Sequence, residues 1–172
     1  SIRFEGEEIR GRGYHGMRHM RKDLQMIFQD PFSSLNPRLT VQEILTEGLI
    51  EHGLLEGEAP DVAAHWLEEV GLPAEVINRY PHEFSGGQRQ RICVARAVAM
   101  KPKFVVCDEA VSALDVTIQA QVIDLLMELR EKFGLSYLFI SHDLSVVKRI
   151  CDRTVVMRQG KVCLLYTSDA AD

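Results

Sequence analysis

The chain has 172 residues, of which 46% are apolar and 26% charged, and its net charge is −5. That is the composition of an ordinary globular protein with room for one core, and the acidic balance argues against nonspecific binding to nucleic acid, which needs a basic face. No apolar stretch approaches the roughly 18 residues that span a bilayer, and the chain opens at Ser1 without a signal-peptide pattern.

"SIRFEGEEI" alternates apolar and polar residues and turns at Gly6, which predicts strand and turn. Residues 10 to 22 are basic and glycine-rich and read as loop or short helix. Their cluster of Arg10, Arg12, Arg18, Arg21 and Lys22 reads as a solvated face. "LQMIFQ" (24–29) is a compact apolar strand ending at Gln29. Pro31, Asn36 and Pro37 predict a loop through "DPFSSLNPRLT". Thr40 caps the next helix, with Glu43 completing a capping box, and that helix runs to about His52. "DVAAHWLEEVGL" places Val62, Trp66, Leu67 and Val70 on one helical face and stops at Gly71. "PAEVINRY" adds a short helix.

A helix follows "FSGGQ" and runs to about Met100. Beyond it the pattern is strand (104–109), helix (116–133), strand (136–141), helix (144–151), strand (153–157). Val122, Leu125, Leu126, Leu129 and Phe133 stripe the longer helix, which Gly134 closes. Short apolar strands alternating with helices predict an α/β fold with a parallel sheet covered on both faces. Cys93, Cys107, Cys151 and Cys163 form no C-x-x-C pair and read as free thiols, three of them inside apolar runs.

Ligands of such sheets bind at the carboxyl ends of the strands. Here three strand ends carry polar groups: Gln29, Asp108-Glu109, and Ser141-His142-Asp143. Neighbouring strand residues point to opposite sides. One carboxylate of the acidic pair can therefore hold Mg²⁺, largely through water, while the other orients or deprotonates an attacking water. His142 alone fits a satisfied structural histidine, but at a strand end it could hydrogen-bond a terminal phosphate. Ser85 and Gln88 fit S-x-x-Q, itself a capping box. Yet Gly86 and Gly87 fill the first turn, where each is disfavoured by about 1 kcal/mol. Bare amides at the positive end of a helix make an anion site.

These segments resemble the motifs of ATP-binding-cassette (ABC) ATPases. "FSGGQRQR" is similar to their signature, "FVVCDE" to the Walker B strand, "SALD" to the D-loop, "ISHD" to the switch histidine, and Gln29 to the Q-loop glutamine. "MIFQDPFSSLNPRLTV" and "DEAVSALDVTIQAQVIDLL" resemble, more narrowly, ATPase subunits of bacterial oligopeptide and dipeptide importers. The resemblance covers residues 1 to about 162. It implies a partial P-loop NTPase-like ABC ATPase fold: residues 1–40 and 101–162 as a partial RecA-like core, and 41–100 as a helical subdomain carrying the signature. It implies ATP and Mg²⁺ as cofactors, with Glu109 as general base, His142 on the γ-phosphate, Asp108 holding Mg²⁺ through water, and Gln29 sensing the metal. Ser85, Gly86, Gly87 and Gln88 would contact a nucleotide held by the other subunit, and Asp115 would bridge the dimer.

The implied partners are a second ATPase subunit, identical or related, and permease subunits contacting the Gln29–Thr40 loop. A solute-binding protein would be linked indirectly, and no nucleic acid is implied. The implied location is the cytoplasmic face of the membrane. The chain contains no G-x-x-x-x-G-K-[ST] loop, so the resemblance implies a fragment whose P-loop lay upstream and which is inactive alone. Ala110 stands where many members have proline, and Phe84 where leucine is usual. After "RQGKV" a second hairpin arm is expected. "CLLYTSDAAD" (163–172) does not match it and reads as a non-native tail without functional weight. The alternative is an ABC-type ATPase of DNA repair or chromosome organisation. Only about 55 residues separate Gln29 from Ser85, and they hold no heptads or zinc-ligand cysteines.

Overall fold

The computed structural model describes residues 1–167. The chain begins as a hairpin of β1 (Arg3–Phe4) and β2 (Glu7–Glu8). Its two-residue turn, Glu5-Gly6, has positive φ at both positions, 51° and 83°, the twist that closes tight antiparallel hairpins. Residues 10–22 form one helical turn, α1 (Tyr14–Met17), then a 3₁₀ turn over Arg18–Met20. The basic cluster is engaged locally. Arg12 pairs with Glu7 at 2.8 Å, Arg18 with Glu51 at 2.6 Å, and the Arg21 guanidinium sits 4.1 Å from the Tyr14 ring centroid.

β3 (Leu24–Ile27) follows, then α2 (Pro31–Ser34), where the sequence predicts only loop. The Asp30 carboxylate accepts the Phe32 N–H at 2.8 Å, and Pro31 occupies the first helical position, where its missing N–H is harmless. Two local rules therefore outweigh the two prolines. α3 (Val41–Glu51) starts at the predicted capping box. The Thr40 N–H donates to Glu43 Oε2 at 2.7 Å, and the Glu43 N–H donates to Thr40 Oγ1 at 3.3 Å. The backbone bond from Thr40 holds the Glu43 carboxyl below its ordinary value, so the box strengthens above the normal carboxylate range and weakens as pH falls through the folded pKa. Thr40→Ala removes the cap and should cost about 1 kcal/mol. The thermal midpoint should fall by about 2–4 °C; an unchanged midpoint in a thermal melt contradicts this.

α4 (Ala59–Glu69) buries Trp66 and Leu67, with Val70 just beyond its end, and stops at Gly71 with φ of 71°. After 3₁₀ turns at Ala74–Asn78 and Pro81–Glu83 comes α5 (Gly86–Ala99), the central helix of the molecule. It contacts α2, α3, α4 and β3. β4 (Phe104–Asp108), α6 (Val116–Phe133), β5 (Ser136–Ile140) and α7 (Leu144–Ile150) complete the alternating part. α6 carries the predicted stripe and ends at Gly134, whose φ of 63° suits a left-handed cap.

The parallel sheet has the order β3-β4-β5, with Ile27 opposite Cys107 and Cys107 opposite Phe139. One face is closed: Ile27, Val105 and Cys107 are fully buried, and the Tyr137 hydroxyl donates to the Leu126 carbonyl of α6 at 2.9 Å. Burial pushes the Cys107 thiol up to about 12 and the Cys93 thiol up to about 11. These thiols are free and neutral. Cys151 is half-buried, and Cys163 is exposed.

Among the described residues the cover of the second face is partial: Leu138 and Ile140 are 50% and 45% exposed, and α7 packs against α6. Arg149 of α7 pairs with Asp124 of α6. A second correction concerns residues 153–157. β6 (Arg153–Arg158) does not join the parallel sheet but pairs antiparallel with β7 (Lys161–Thr167). Residues 163–167, expected to lie outside a hairpin, form its second arm with Lys161 and Val162, turned at Gln159-Gly160, both with positive φ. The rest of that tail, 168–172, lies outside the described residues. Among the described residues no helix is long and apolar enough to cross a membrane.

Candidate active site

β4 leads its last residues out beyond the sheet. Alternation puts Phe104, Val106 and Asp108 on the open face, and Val105 and Cys107 on the closed one. Glu109 does not continue the alternation. Its φ is 48°, in the left-handed region that non-glycine residues seldom occupy. Its N–H donates to the Ile140 carbonyl at 3.0 Å, while its own carbonyl accepts the Ser112 N–H at 3.0 Å and the Ser112 hydroxyl at 2.9 Å. These bonds hold a conformation that would otherwise cost of order 1–3 kcal/mol.

The outcome is a re-aimed carboxylate. Glu109 Oε1 lies 3.3 Å from His142 Nδ1. Glu109 is half-buried and His142 exposed, so a polar pair sits at an open rim. His142 stands between two local locks. The Asp143 N–H donates to Ser141 Oγ at 3.0 Å, and Asp143 caps α7 by accepting the Ser145 N–H at 2.8 Å. The Ser145 hydroxyl, at 2.6 Å from the same carboxylate oxygen, is the first cause of the lowered Asp143 pKa. Asp108 is half-buried at the end of β4, and Gln29 is exposed two residues past β3, the strand paired with β4.

Ser85, Gly86, Gly87 and Gln88 sit elsewhere, at the start of α5. The capping box is formed: the Gln88 N–H donates to Ser85 Oγ at 3.3 Å, and the Ser85 N–H to Gln88 Oε1 at 3.0 Å. Among the described residues the Gly86 and Gly87 N–H groups have no partner, and Ser85, Gly86 and Gln88 are exposed. Asp115 lies beside this turn and caps α6, accepting the Ile118 N–H at 3.1 Å. A Cβ on Gly86 would meet nothing closer than Leu114 Cδ2 at 4.0 Å. A Cβ on Gly87 would lie 2.5 Å from Ile118 Cγ2. The expected anion site uses both glycines. Gly87 is needed for the close approach of α5 to α6, and only Gly86 lacks a packing reason.

The structure thus brings Asp108, Glu109 and His142 together at one sheet edge with Gln29 nearby, and groups Ser85–Gln88 with Asp115 in a second cluster. Sequence reasoning missed the links from α5 to its surroundings. The Arg89 guanidinium lies 3.8 Å from the Phe32 ring centroid, and Arg96 donates to the Ser34 carbonyl at 2.6 Å. Arg91 donates to the Val70 carbonyl at 2.7 Å, at the end of α4. The signal was available in "RQRICVAR": arginines on a helix rich in apolar residues reach for carbonyls or rings when their stems are buried. The segment after Gln29 is thereby fastened to the helix that carries the glycine turn.

A parallel α/β sheet with an acid–imidazole pair at its carboxyl edge, and a separate glycine-opened helix start, is the architecture of an ABC ATPase domain. The ABC transporter family matches residues 1–112, and the chain belongs to that family. It is 51% identical over 162 residues to the glutathione import ATP-binding protein GsiA of Pectobacterium atrosepticum, covering 94% of this chain and 26% of that protein. It is 52% identical over 169 residues to a candidate peptide import ATP-binding protein of Brucella ovis, covering 98% of this chain and 53% of the relative. The chain thus spans about half the length of the Brucella relative and about a quarter of GsiA. CbiO1 of Clostridium perfringens, part of the ABC transporter complex CbiONQ, superimposes with a TM-score of 0.83 at 26% identity, covering 97% of this chain and 65% of that one. The ATP-binding cassette MJ0796, as a dimer with ADP and Pi, gives 0.79 at 25% identity, with coverages of 96% and 72%.

Proposed function

We propose that this chain belongs to the ATP-hydrolysing subunit of an importer for peptides or a related solute such as glutathione. The observation that carries the reading is the 3.3 Å contact of Glu109 with His142, beyond the ends of two paired parallel strands. The import proteins among its relatives support the solute class and do not favour DNA repair. Glu109 takes the proton of the attacking water. His142 contacts the γ-phosphate and steadies the Glu109 carboxylate.

Mg²⁺ takes one or two carboxylates and fills its shell with water and phosphate oxygens. Asp108 and Gln29, at the ends of adjacent strands, fit such a donor set; the bound ion would offset phosphate charge. Ser85, Gly86, Gly87 and Gln88 offer bare amides to the γ-phosphate in a second subunit's site, and Asp115 bridges the two subunits. Residues 1–40 and 101–162 serve as the catalytic core and 41–100 as the helical subdomain. The Gln29–Thr40 loop faces the permease, at the cytoplasmic side of the membrane. The Arg89 and Arg96 contacts fasten it to α5, the helix that carries the glycine turn. A solute-binding protein acts through the permease.

A mixed-dimer experiment tests this. Ser85→Asp keeps a capping oxygen but sets a negative charge against the phosphate. In the full-length protein, a dimer of one Ser85→Asp subunit and one Glu109→Gln subunit keeps one intact site and about half the wild-type rate. A dimer carrying both changes in one subunit, with a wild-type partner, should hydrolyse almost nothing. The reverse ranking places the turn and the base of one and the same subunit in a single site and rejects the shared-site reading.

A further inference from the structure

The roles proposed above leave Gln90 unused. It is fully buried, and neither Oε1 nor Nε2 has a hydrogen-bond partner among the described residues. A buried amide without a partner is costly and calls for a reason. With about 3.6 residues per turn, Gln90 projects from α5 between Gly86, four residues back, and Gly87, three back. Gly86 faces Leu114, just before α6, and Gly87 faces Ile118 in its first turn. Helical side chains lean toward the N-terminus and cover the preceding turn. The Gln90 side chain therefore leans toward the glycine turn, on the side of α5 that meets Leu114 and Ile118.

That segment contains two buried residues, Ala110 and Val111, at 1% and 2% exposure. Among the described residues their N–H groups have no partner. The N–H groups of Ser112 and Leu114 are already bonded to the carbonyls of Glu109 and Val111. The side chain thus carries an unpaired amide, and the backbone that aims Glu109, a few residues before Leu114, carries unpaired peptide donors.

We propose that Gln90 is a positioning residue. When the ATP-filled dimer closes, its amide engages the peptide groups of Ala110 and Val111 and ties the Ser85–Gln88 turn to the backbone that sets Glu109. The inference rests on the function proposed above. In that arrangement the turn serves the partner's nucleotide and Glu109 the chain's own, so Gln90 links the two sites through a single chain.

The test uses the full-length importer in nanodiscs, with Gln90→Leu and, as a second variant of similar volume, Gln90→Met. Replacing an unpaired buried amide with an apolar side chain should leave the thermal midpoint unchanged or higher. The inference expects kcat for ATP to fall at least tenfold while nucleotide affinity stays within twofold. It also expects hydrogen exchange at the amides of residues 110 and 111 to slow on trapping with an ATP analogue in wild type but not in the variants. This exchange readout does not depend on turnover. Unchanged kcat and equal protection in wild type and Q90L overturn it, as does a loss of rate that only follows a lowered thermal midpoint. If neither variant folds, unslowed exchange at these amides in the trapped wild type overturns it, and slowing at residues 110 and 111 but not at 113 supports it. A wild-type importer that hydrolyses no ATP overturns the function as well, which separates the two failures.

Discussion

Glu109→Gln in the full-length protein should lower the rate of ATP hydrolysis by about 10²–10⁴-fold, the usual contribution of a general base. Nucleotide affinity should remain within about twofold of wild type. The substitution is nearly isosteric and retains an oxygen within reach of His142 Nδ1, now 3.3 Å from Glu109 Oε1. It also leaves the backbone clamp intact, since the bonds holding Glu109 at a φ of 48° all use main-chain atoms of that residue. Lost turnover therefore reports lost proton acceptance, not a collapsed turn. Single-turnover hydrolysis and equilibrium nucleotide binding on the same preparation separate the two. Persistent turnover would move the base elsewhere; lost binding would make Glu109 a structural or ligand-holding group. His142→Ala should lower hydrolysis as well, because it removes both the neighbour that steadies the carboxylate and the proposed γ-phosphate contact.

Local rules written in a few adjacent residues were legible. The Thr40–Glu43 and Ser85–Gln88 boxes, the Gly71 and Gly134 stops and the α6 stripe all occur where the pattern placed them. The polar strand ends were legible too, because Asp108, Glu109 and His142 interrupt or follow apolar runs that have no need of them. The sequence did not show how much of the sheet would be covered. "SYLFI" is apolar on both faces and reads as doubly buried, yet Leu138 and Ile140 remain about half exposed. Strand order was equally hidden, since "RTVVM" fits a parallel neighbour or a hairpin equally well, and only pairing with Lys161–Thr167 decides it. The aim of Glu109 was also missed. Alternation assumes a strand that continues, and here the strand ends one residue earlier.

The glycine turn yields the second large effect, because its two glycines should fail for different reasons. Helix propensity favours Ala over Gly by about 1 kcal/mol at either position. At Gly87 the new Cβ would stand 2.5 Å from Ile118 Cγ2. That methyl sits directly on a β-branched carbon held in one preferred rotamer within a helix, so it cannot swing aside, and the start of α6 has to move. Overpacking of this kind costs about 1–3 kcal/mol, which equals or exceeds the propensity gain. Moving the start of α6 by about 1 Å also shifts Asp115, and a misplacement of that size can cost about 10²-fold in rate. Gly87→Ala should therefore lower hydrolysis about 10²-fold with a thermal midpoint equal to or below wild type. Ile118→Ala removes the opposing methyl, so the double variant should be more stable than the sum of the single effects by about 0.5–3 kcal/mol. Gly86→Ala should behave in the opposite way. Its Cβ finds only Leu114 Cδ2 at 4.0 Å, so stability should hold or rise, while the added methyl blocks a phosphate from the bare amides and hydrolysis falls. If Gly86→Ala hydrolyses ATP as fast as wild type, the turn binds no anion and α5 opens on glycine only to admit α6. If the Gly87 and Ile118 changes simply add, the close approach of the two helices is not what Gly87 serves.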